Sequence, residues 1–348
     1  MKTVKEIYDN KLYRDGLETV IPYMEAKGKT FLVTGASGLI GSCMVDALLL
    51  ANDLFGYQNK VYALGRSKEK LQNRFSKRDD LVFLAQDVAA PFDEGLGFDF
   101  IIHAASNADP HSYAVYPVET ILTNVAGAKN ILEYCAKHKE TRMLFTSTFE
   151  VYGKTEGAVY YSEDDHGVIN YNEIRSGYPE SKRVCELMVR SYHSEYGVDA
   201  VIGRLCSIYG PCMNPGDNKA HAQFLNKGIQ KESIVLKSPG LQKRTYCYVI
   251  DAVSGLMCLL FRGVSGEAYN VANKESEVTI KDVANEVAKI CGVEVIFDLP
   301  SEEEQRGFSK PQDIVLKTDK LEALGWEAKY SLNRGFSDTV NILQKREK

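Results

Sequence analysis

The sequence predicts an α/β protein built on a doubly wound parallel sheet, with a smaller C-terminal part. Short apolar runs alternate with longer amphipathic stretches from Thr30 onward, a glycine-rich turn follows the first run, and the alternation loses its regularity after Pro211. Parallel strands joined by crossover helices give this pattern, because such strands are buried on both faces and such helices on one.

The strand candidates follow in order: FLVT (Phe31 to Thr34), VYAL (Val61 to Leu64), LVFLA (Leu81 to Ala85), FIIHA (Phe100 to Ala104), MLFT (Met143 to Thr146), AVIGRL (Ala200 to Leu205) and AYNVA (Ala268 to Ala272). Each is short and rich in β-branched or aromatic residues. Between them, NVAGAKNILEYCAKH (Asn124 to His138) and SKRVCELMVRSYHSEY (Ser181 to Tyr196) repeat apolar residues at three and four, as helices do. A glycine turn after the first strand makes 3-2-1-4-5-6 the expected sheet order, with a ligand across the carboxyl edge. Later come the loop-like NPGDNK and SPGLQKR, a helical TIKDVANEVAKIC (Thr279 to Cys291) and a final LEALGW segment (Leu321 to Trp326). The expected division is a helical arm over residues 1–29, a dinucleotide-binding domain over 30–205, and a mainly substrate-binding part over 206–348 from which 244–275 returns to the sheet.

Composition narrows the function. The 348 residues are 44% hydrophobic and 26% charged, with a net charge of -5. That balance gives no general attraction to nucleic acid or anionic lipid. The charged N-terminus has no apolar signal core, and no run is long enough to span a bilayer. Eight cysteines are scattered without a CxxC pair, which argues for reduced thiols and against a metal site. A cytoplasmic protein with neither nucleic acid nor membrane as partner is expected.

The first strand runs into TGASGLIG, where Gly35, Gly38 and Gly41 are spaced as GxxGxxG. Glycine there lets the backbone approach a pyrophosphate, and the helix start beyond it, at Leu39 and Ile40, offers free N–H groups to its charge. Ser37 lies within the same turn. At the end of the second strand, where an NAD enzyme usually has an acid for the ribose hydroxyls, stand Gly65, Arg66 and Ser67. Arginine and a hydroxyl can bind a 2'-phosphate by charge-assisted hydrogen bonds, so NADP is slightly favoured over NAD. A solvated surface arginine is the other reading.

Tyr178 and Lys182 form a YxxxK pair, four residues apart on one helical face. Tyr23 and Lys27 repeat the spacing upstream of the whole sheet. What distinguishes Tyr178 is the preceding TSTFEVYG, with Thr148 at a strand end. A phenol with a pKa near 10 needs help to act as a base, and lowering it by about three units takes roughly 4 kcal/mol. Lys182 and a positive nicotinamide are the expected source, with Thr148 orienting the reacting oxygen.

Together these features resemble the extended short-chain dehydrogenase/reductases of the NAD-dependent epimerase/dehydratase family, a Rossmann fold. The resemblance implies that Asp87 and Val88 contact adenine, that Ala104, Ala105 and Ser106 pass under a tightly bound NAD(P), and that Tyr178 and Lys182 also touch it. Within the family, SEDDHGVINYNEIRSGYPESKR looks like UDP-glucuronate decarboxylases in Ser162, Glu163, Gly167, Asn170, Arg175, Tyr178, Glu180, Lys182 and Arg183. Glu150 stands where those enzymes keep a catalytic glutamate, whereas Phe149 stands where sugar dehydratases keep an aspartic acid. LQKRTYCYVIDA resembles the segment that holds the substrate phosphates, with Arg244 on the diphosphate and Asp251 opening a helix. Two departures stand out: Ser207 replaces the usual substrate-contacting asparagine, and Gly65-Arg66 replaces the usual acid.

The implied activity is redox-neutral chemistry on a nucleotide sugar, with UDP as the expected nucleotide, through a 4-keto intermediate: a decarboxylase, with a 4-epimerase, dehydratase or reductase as the alternatives. A non-enzymatic dinucleotide sensor of this fold would have lost the Tyr/Lys pair. Family likeness also implies a homodimer through the helices carrying Val125, Ile131, Leu132 and Val184, Leu187, Met188.

Overall fold

In the first strand, β1 (Thr30–Thr34), every residue after Thr30 is buried, as a strand covered on both faces must be. The computed structural model describes residues 5–93, 95–108, 110–214, 216–299 and 312–344. Among these, all seven predicted runs enter one parallel sheet: β1, β2 (Lys60–Gly65), β3 (Leu81–Ala85), β4 (Phe100–His103), β5 (Arg142–Thr148), β6 (Asp199–Leu205) and β7 (Ala268–Val271). Their order is β3-β2-β1-β4-β5-β6-β7, the expected one with the seventh run added beyond β6.

Side chains alternate across this sheet. Phe31 and Val33 of β1 face one core, with α2 (Leu39–Phe55) and α6 (Val249–Arg262) packed on it; Leu32 faces the other, under α4 (Pro117–Lys137) and α5 (Gly177–Tyr196). Ile131 and Leu132 of α4 belong to that second core and are fully buried. They therefore meet the sheet and do not lie on the outer face of the helix: helical periodicity shows that residues are apolar, not which apolar stripe meets the sheet. The stripe left outside is Val118, Ile121 and Leu122 on α4 with Val184 and Leu187 on α5.

The C-terminal part begins where β6 ends. Ser207–Tyr209 pairs in parallel with Lys243–Tyr248, whose other edge takes Glu277–Thr279 antiparallel. α7 (Ile280–Cys291) starts on a capping box in which Thr279 and Asp282 each accept the other's N–H. The LEALGW segment is tied to α6, since Trp326 Nε1 donates to Ser254 Oγ at 2.8 Å and Asp251 accepts the N–H groups of Lys329 and Tyr330. α8 (Leu332–Gln344) then adds a helix the sequence pattern did not indicate.

The N-terminal arm is part of this packing. Helix α1 (Lys11–Glu18) buries Tyr13, whose hydroxyl donates to Asp46 of α2 at 2.9 Å, and Asp46 also pairs with the buried Arg74 of α3 (Lys68–Arg74). Removing one partner of a buried ion pair leaves the other charge uncompensated, so Asp46→Ala should cost about 3–5 kcal/mol. Tyr13→Phe should cost about 1 kcal/mol, the loss of a single hydrogen bond. Urea unfolding of the two variants measures both.

Candidate active site

Gly35 closes β1 with a φ of 64°, and a Cβ there would lie 2.6 Å from the Ala104 carbonyl oxygen, so only glycine lets β1 and β4 end this close together. Gly38 is the N-cap of α2 and donates to Gly35 O at 2.9 Å. Leu39, Ile40 and Gly41 form the first turn, whose N–H groups have no carbonyl to bond within the helix. Thr34 Oγ1 joins the two strand ends by accepting from the N–H groups of both Ala104 and Ala105 at 3.1 Å.

These ends line a cavity of about 190 Å³. Its walls are Gly35, Ser37 and Gly38 after β1; Leu64, Gly65 and Arg66 at the end of β2; Gln86, Asp87 and Val88 after β3; Ala104 to Asn107 after β4; and Thr123 of α4. Most of the residues expected to bind the cofactor are brought together here. Ser67 is not in the wall: its Oγ caps α3, accepting from Lys70 N at 3.2 Å. Gln86, Asn107 and Thr123 were missed by sequence reasoning. No motif marks them, although Gln86 immediately precedes the Asp87-Val88 pair.

A dinucleotide fits this wall. A Cβ on Gly38 would meet only Gly35 O, at 3.2 Å, and Gln86 Nε2 is buried without a hydrogen-bond partner among the described residues. An unpaired buried amide of that kind costs about 1–3 kcal/mol unless a ligand accepts its hydrogen bond.

Deeper in, β5 and α5 position a polar group. Thr148, the last residue of β5, accepts from Glu150 N at 3.3 Å and hydrogen-bonds the Tyr178 hydroxyl. Tyr178 is buried beneath Tyr113, the two rings stacked 4.8 Å apart. Arg175 lies over the Tyr113 ring, its guanidinium 5.4 Å from the ring centre, and pairs with Glu150 at 3.2 Å. Burial, and next the charge of Glu150, push the Tyr178 phenol well up; the Thr148 hydrogen bond and Arg175 pull it down by less.

The Lys182 ammonium donates to Thr146 O at 2.9 Å, and burial pushes it down to about 8 against the opposing pull of Cys185 and Glu186. Asn124 ties α4 to α5, accepting from Ser106 Oγ at 2.8 Å and donating to Ser181 Oγ at 2.9 Å.

Arg244 approaches from the C-terminal part. Its guanidinium lies 5.9 Å from the centre of the Phe149 ring and interacts electrostatically with Glu150 and Arg175. One of its nitrogens donates to the carbonyls of Gln312 and Lys243. Ser207 sits opposite Tyr246, two residues along the same strand pair. Tyr113 could not have been found from sequence, since nothing in PHSYAVYP links it to a tyrosine 65 positions away.

His103, at the end of β4, shares a 2.8 Å hydrogen bond with Thr34. Burial, then Lys182, push it down to about 3, and burial pushes His221 down to about 4. Below the ordinary 6.5 the unfolded chain takes up protons that these folded histidines refuse. Stability should therefore be complete above pH 6.5 and fall as pH drops toward 4, by roughly 1 kcal/mol per pH unit for each histidine. Urea midpoints at pH 7 and 5 test this, and His103→Gln should flatten the dependence.

The chain matches the NAD dependent epimerase/dehydratase family over residues 31–272. It is 34% identical over 311 residues to UDP-glucuronic acid decarboxylase 6 of Arabidopsis thaliana, covering 87% of this chain and 85% of that one. With UDP-glucuronic acid decarboxylase 1 of Xenopus tropicalis it shares 30% over 321 residues, 92% and 73% of the two chains. Among solved structures it superposes on a UDP-glucose 4-epimerase from Thermotoga maritima with a TM-score of 0.77 at 23% identity, covering 92% and 100%. For a dTDP-glucose 4,6-dehydratase from Bacillus anthracis in complex with NAD, the TM-score is 0.75 at 21% identity, covering 92% and 97%. At these identities the two structures establish the fold.

Proposed function

The chain belongs to the NAD dependent epimerase/dehydratase family, and from that premise we propose that it decarboxylates a UDP-linked uronic acid, with no net redox change. The observation that carries this reading is the Glu150–Arg175 pair beside Tyr178, with the apolar Phe149 in the place of a dehydratase's proton donor. Similarity to UDP-glucuronic acid decarboxylases over most of the chain supports it.

In this reading Gly35, Ser37, Gly38 and the first turn of α2 hold the pyrophosphate, while Gln86, Asp87 and Val88 meet the adenine. A nicotinamide held there supplies a reversible hydride acceptor for the sugar carbon. Tyr178 Oη takes the proton of the C4 hydroxyl, Thr148 fixes that oxygen, and Lys182 adds positive charge behind the strand end. With C4 a ketone, the C5 carboxylate is a β-keto acid and leaves as carbon dioxide, its electrons passing into an enolate. A proton from solvent reaches C5 by way of Glu150, and as the hydride returns to C4 Tyr178 gives its own proton back to the C4 oxygen. Arg244, with Arg175 and Ser207, keeps the diphosphate and sugar in register.

Residues 30–205 then serve the dinucleotide and most of 206–348 the sugar nucleotide. What supports NAD over the NADP suggested by Arg66 and Ser67 is that both side chains are engaged elsewhere, Arg66 with Glu119 and Ser67 with α3. The exposed stripe on α4 and α5 supports a homodimer. Eight buried free thiols support a reducing, cytoplasmic setting, and among the described residues no helix is long and apolar enough to cross a membrane. Mass spectrometry of products from a panel of nucleotide sugars tests the reaction. UDP-glucuronate should lose carbon dioxide; conversion of a neutral sugar to its 4-epimer instead would make the chain an epimerase.

A further inference from the structure

The end of β2 has no acid to receive the adenosine ribose, and its Arg66 is paired with an acid from another element. Arg66, in the cavity wall, directs Nη1 to Glu119 Oε1 at 2.5 Å and Nη2 to Asn107 Oδ1 at 3.4 Å. Asn107 Nδ2 in turn donates to Glu119 Oε1 at 3.4 Å. Glu119 lies in the first turn of α4, one turn before the wall residue Thr123. The three side chains thus join the ends of β2 and β4 to α4 across the rim of the cavity.

Stability does not account for this arrangement. The Arg66 and Glu119 side chains are 57% and 47% exposed, and such pairs contribute about 0–1 kcal/mol. Chemistry accounts for it better. A carboxylate accepts hydrogen bonds from ribose hydroxyls and repels a phosphate, whereas a free guanidinium binds one.

We propose that Glu119, by holding Arg66 at the rim of the cavity, makes this site select NAD over NADP. The inference rests on reading the cavity as a dinucleotide site. Paired, Arg66 presents no free charge to a 2'-phosphate; released, it becomes the binding group for one.

The test compares wild type, Glu119→Gln and the Glu119→Gln/Arg66→Ala double variant, each purified from the same cells. Dinucleotide released on denaturation is identified by mass spectrometry, and each protein is also titrated with NAD and with NADP. Wild type should hold NAD. Glu119→Gln should shift preference toward NADP by about 10- to 100-fold, the worth of one charged hydrogen bond, and the double variant should lose that gain. A wild type that prefers NADP, or a Glu119→Gln variant with unchanged preference, overturns the role of Glu119 while leaving the dinucleotide site standing. If wild type neither carries nor binds either dinucleotide, the reading of the cavity falls with it.

Discussion

Tyr178→Phe should turn over UDP-glucuronate about 10²- to 10⁴-fold more slowly than wild type while binding cofactor and substrate unchanged, since the base is removed and little else. Phenylalanine retains the ring that stacks on Tyr113 at 4.8 Å. What it loses is the hydroxyl bonded to Thr148. Thr148 keeps its hydrogen bond from Glu150 N, so the strand end should hold its shape. Rapid mixing with substrate should show no reduction of the bound cofactor. Wild-type turnover in this variant, with binding intact, would remove Tyr178 from the chemistry.

Glu150→Gln should separate the two halves of the reaction. Hydride transfer needs the Tyr178 phenolate, which the charge of Glu150 disfavours, so a neutral glutamine should leave that step intact or make it easier. Protonation at C5 needs the carboxyl group, and its loss should slow carbon dioxide release or product formation by about 10²-fold or more. In a single turnover the bound cofactor should therefore be reduced and stay reduced. Glutamine also weakens the hold on Arg175, now paired at 3.2 Å, so substrate affinity should be measured alongside. Unchanged carbon dioxide release together with unchanged product formation would leave Glu150 as a carboxylate that positions Arg175 and nothing more.

The sheet was legible because its strands are buried on both faces. Runs such as FLVT and FIIH have no polar interruption to blur them, and the glycine turn then constrains their order. The Tyr178/Lys182 pair was legible because helical spacing is local. Contacts across long separations were not. Arg66 reads as a free cation until α4 brings Glu119 to it from 53 positions away, and no motif marks the Tyr113 ring that covers Tyr178. The Tyr178/Lys182 spacing does not show that the Lys182 ammonium also donates to the carbonyl of Thr146, because a sequence does not reveal where backbone acceptors lie. The arm shows the same limit: Tyr13 looks like one residue of a polar helix, yet it closes a buried cluster with Asp46 and Arg74.

The most direct test of the account is a turnover assay with UDP-glucuronate labelled at its carboxyl carbon, following label released as carbon dioxide together with the redox state of the cofactor. Catalytic decarboxylation without a mediated redox change requires one carbon dioxide per nucleotide-linked pentose formed and no accumulation of reduced cofactor over many turnovers. Product that retains the label, or stoichiometric build-up of reduced cofactor, would contradict it.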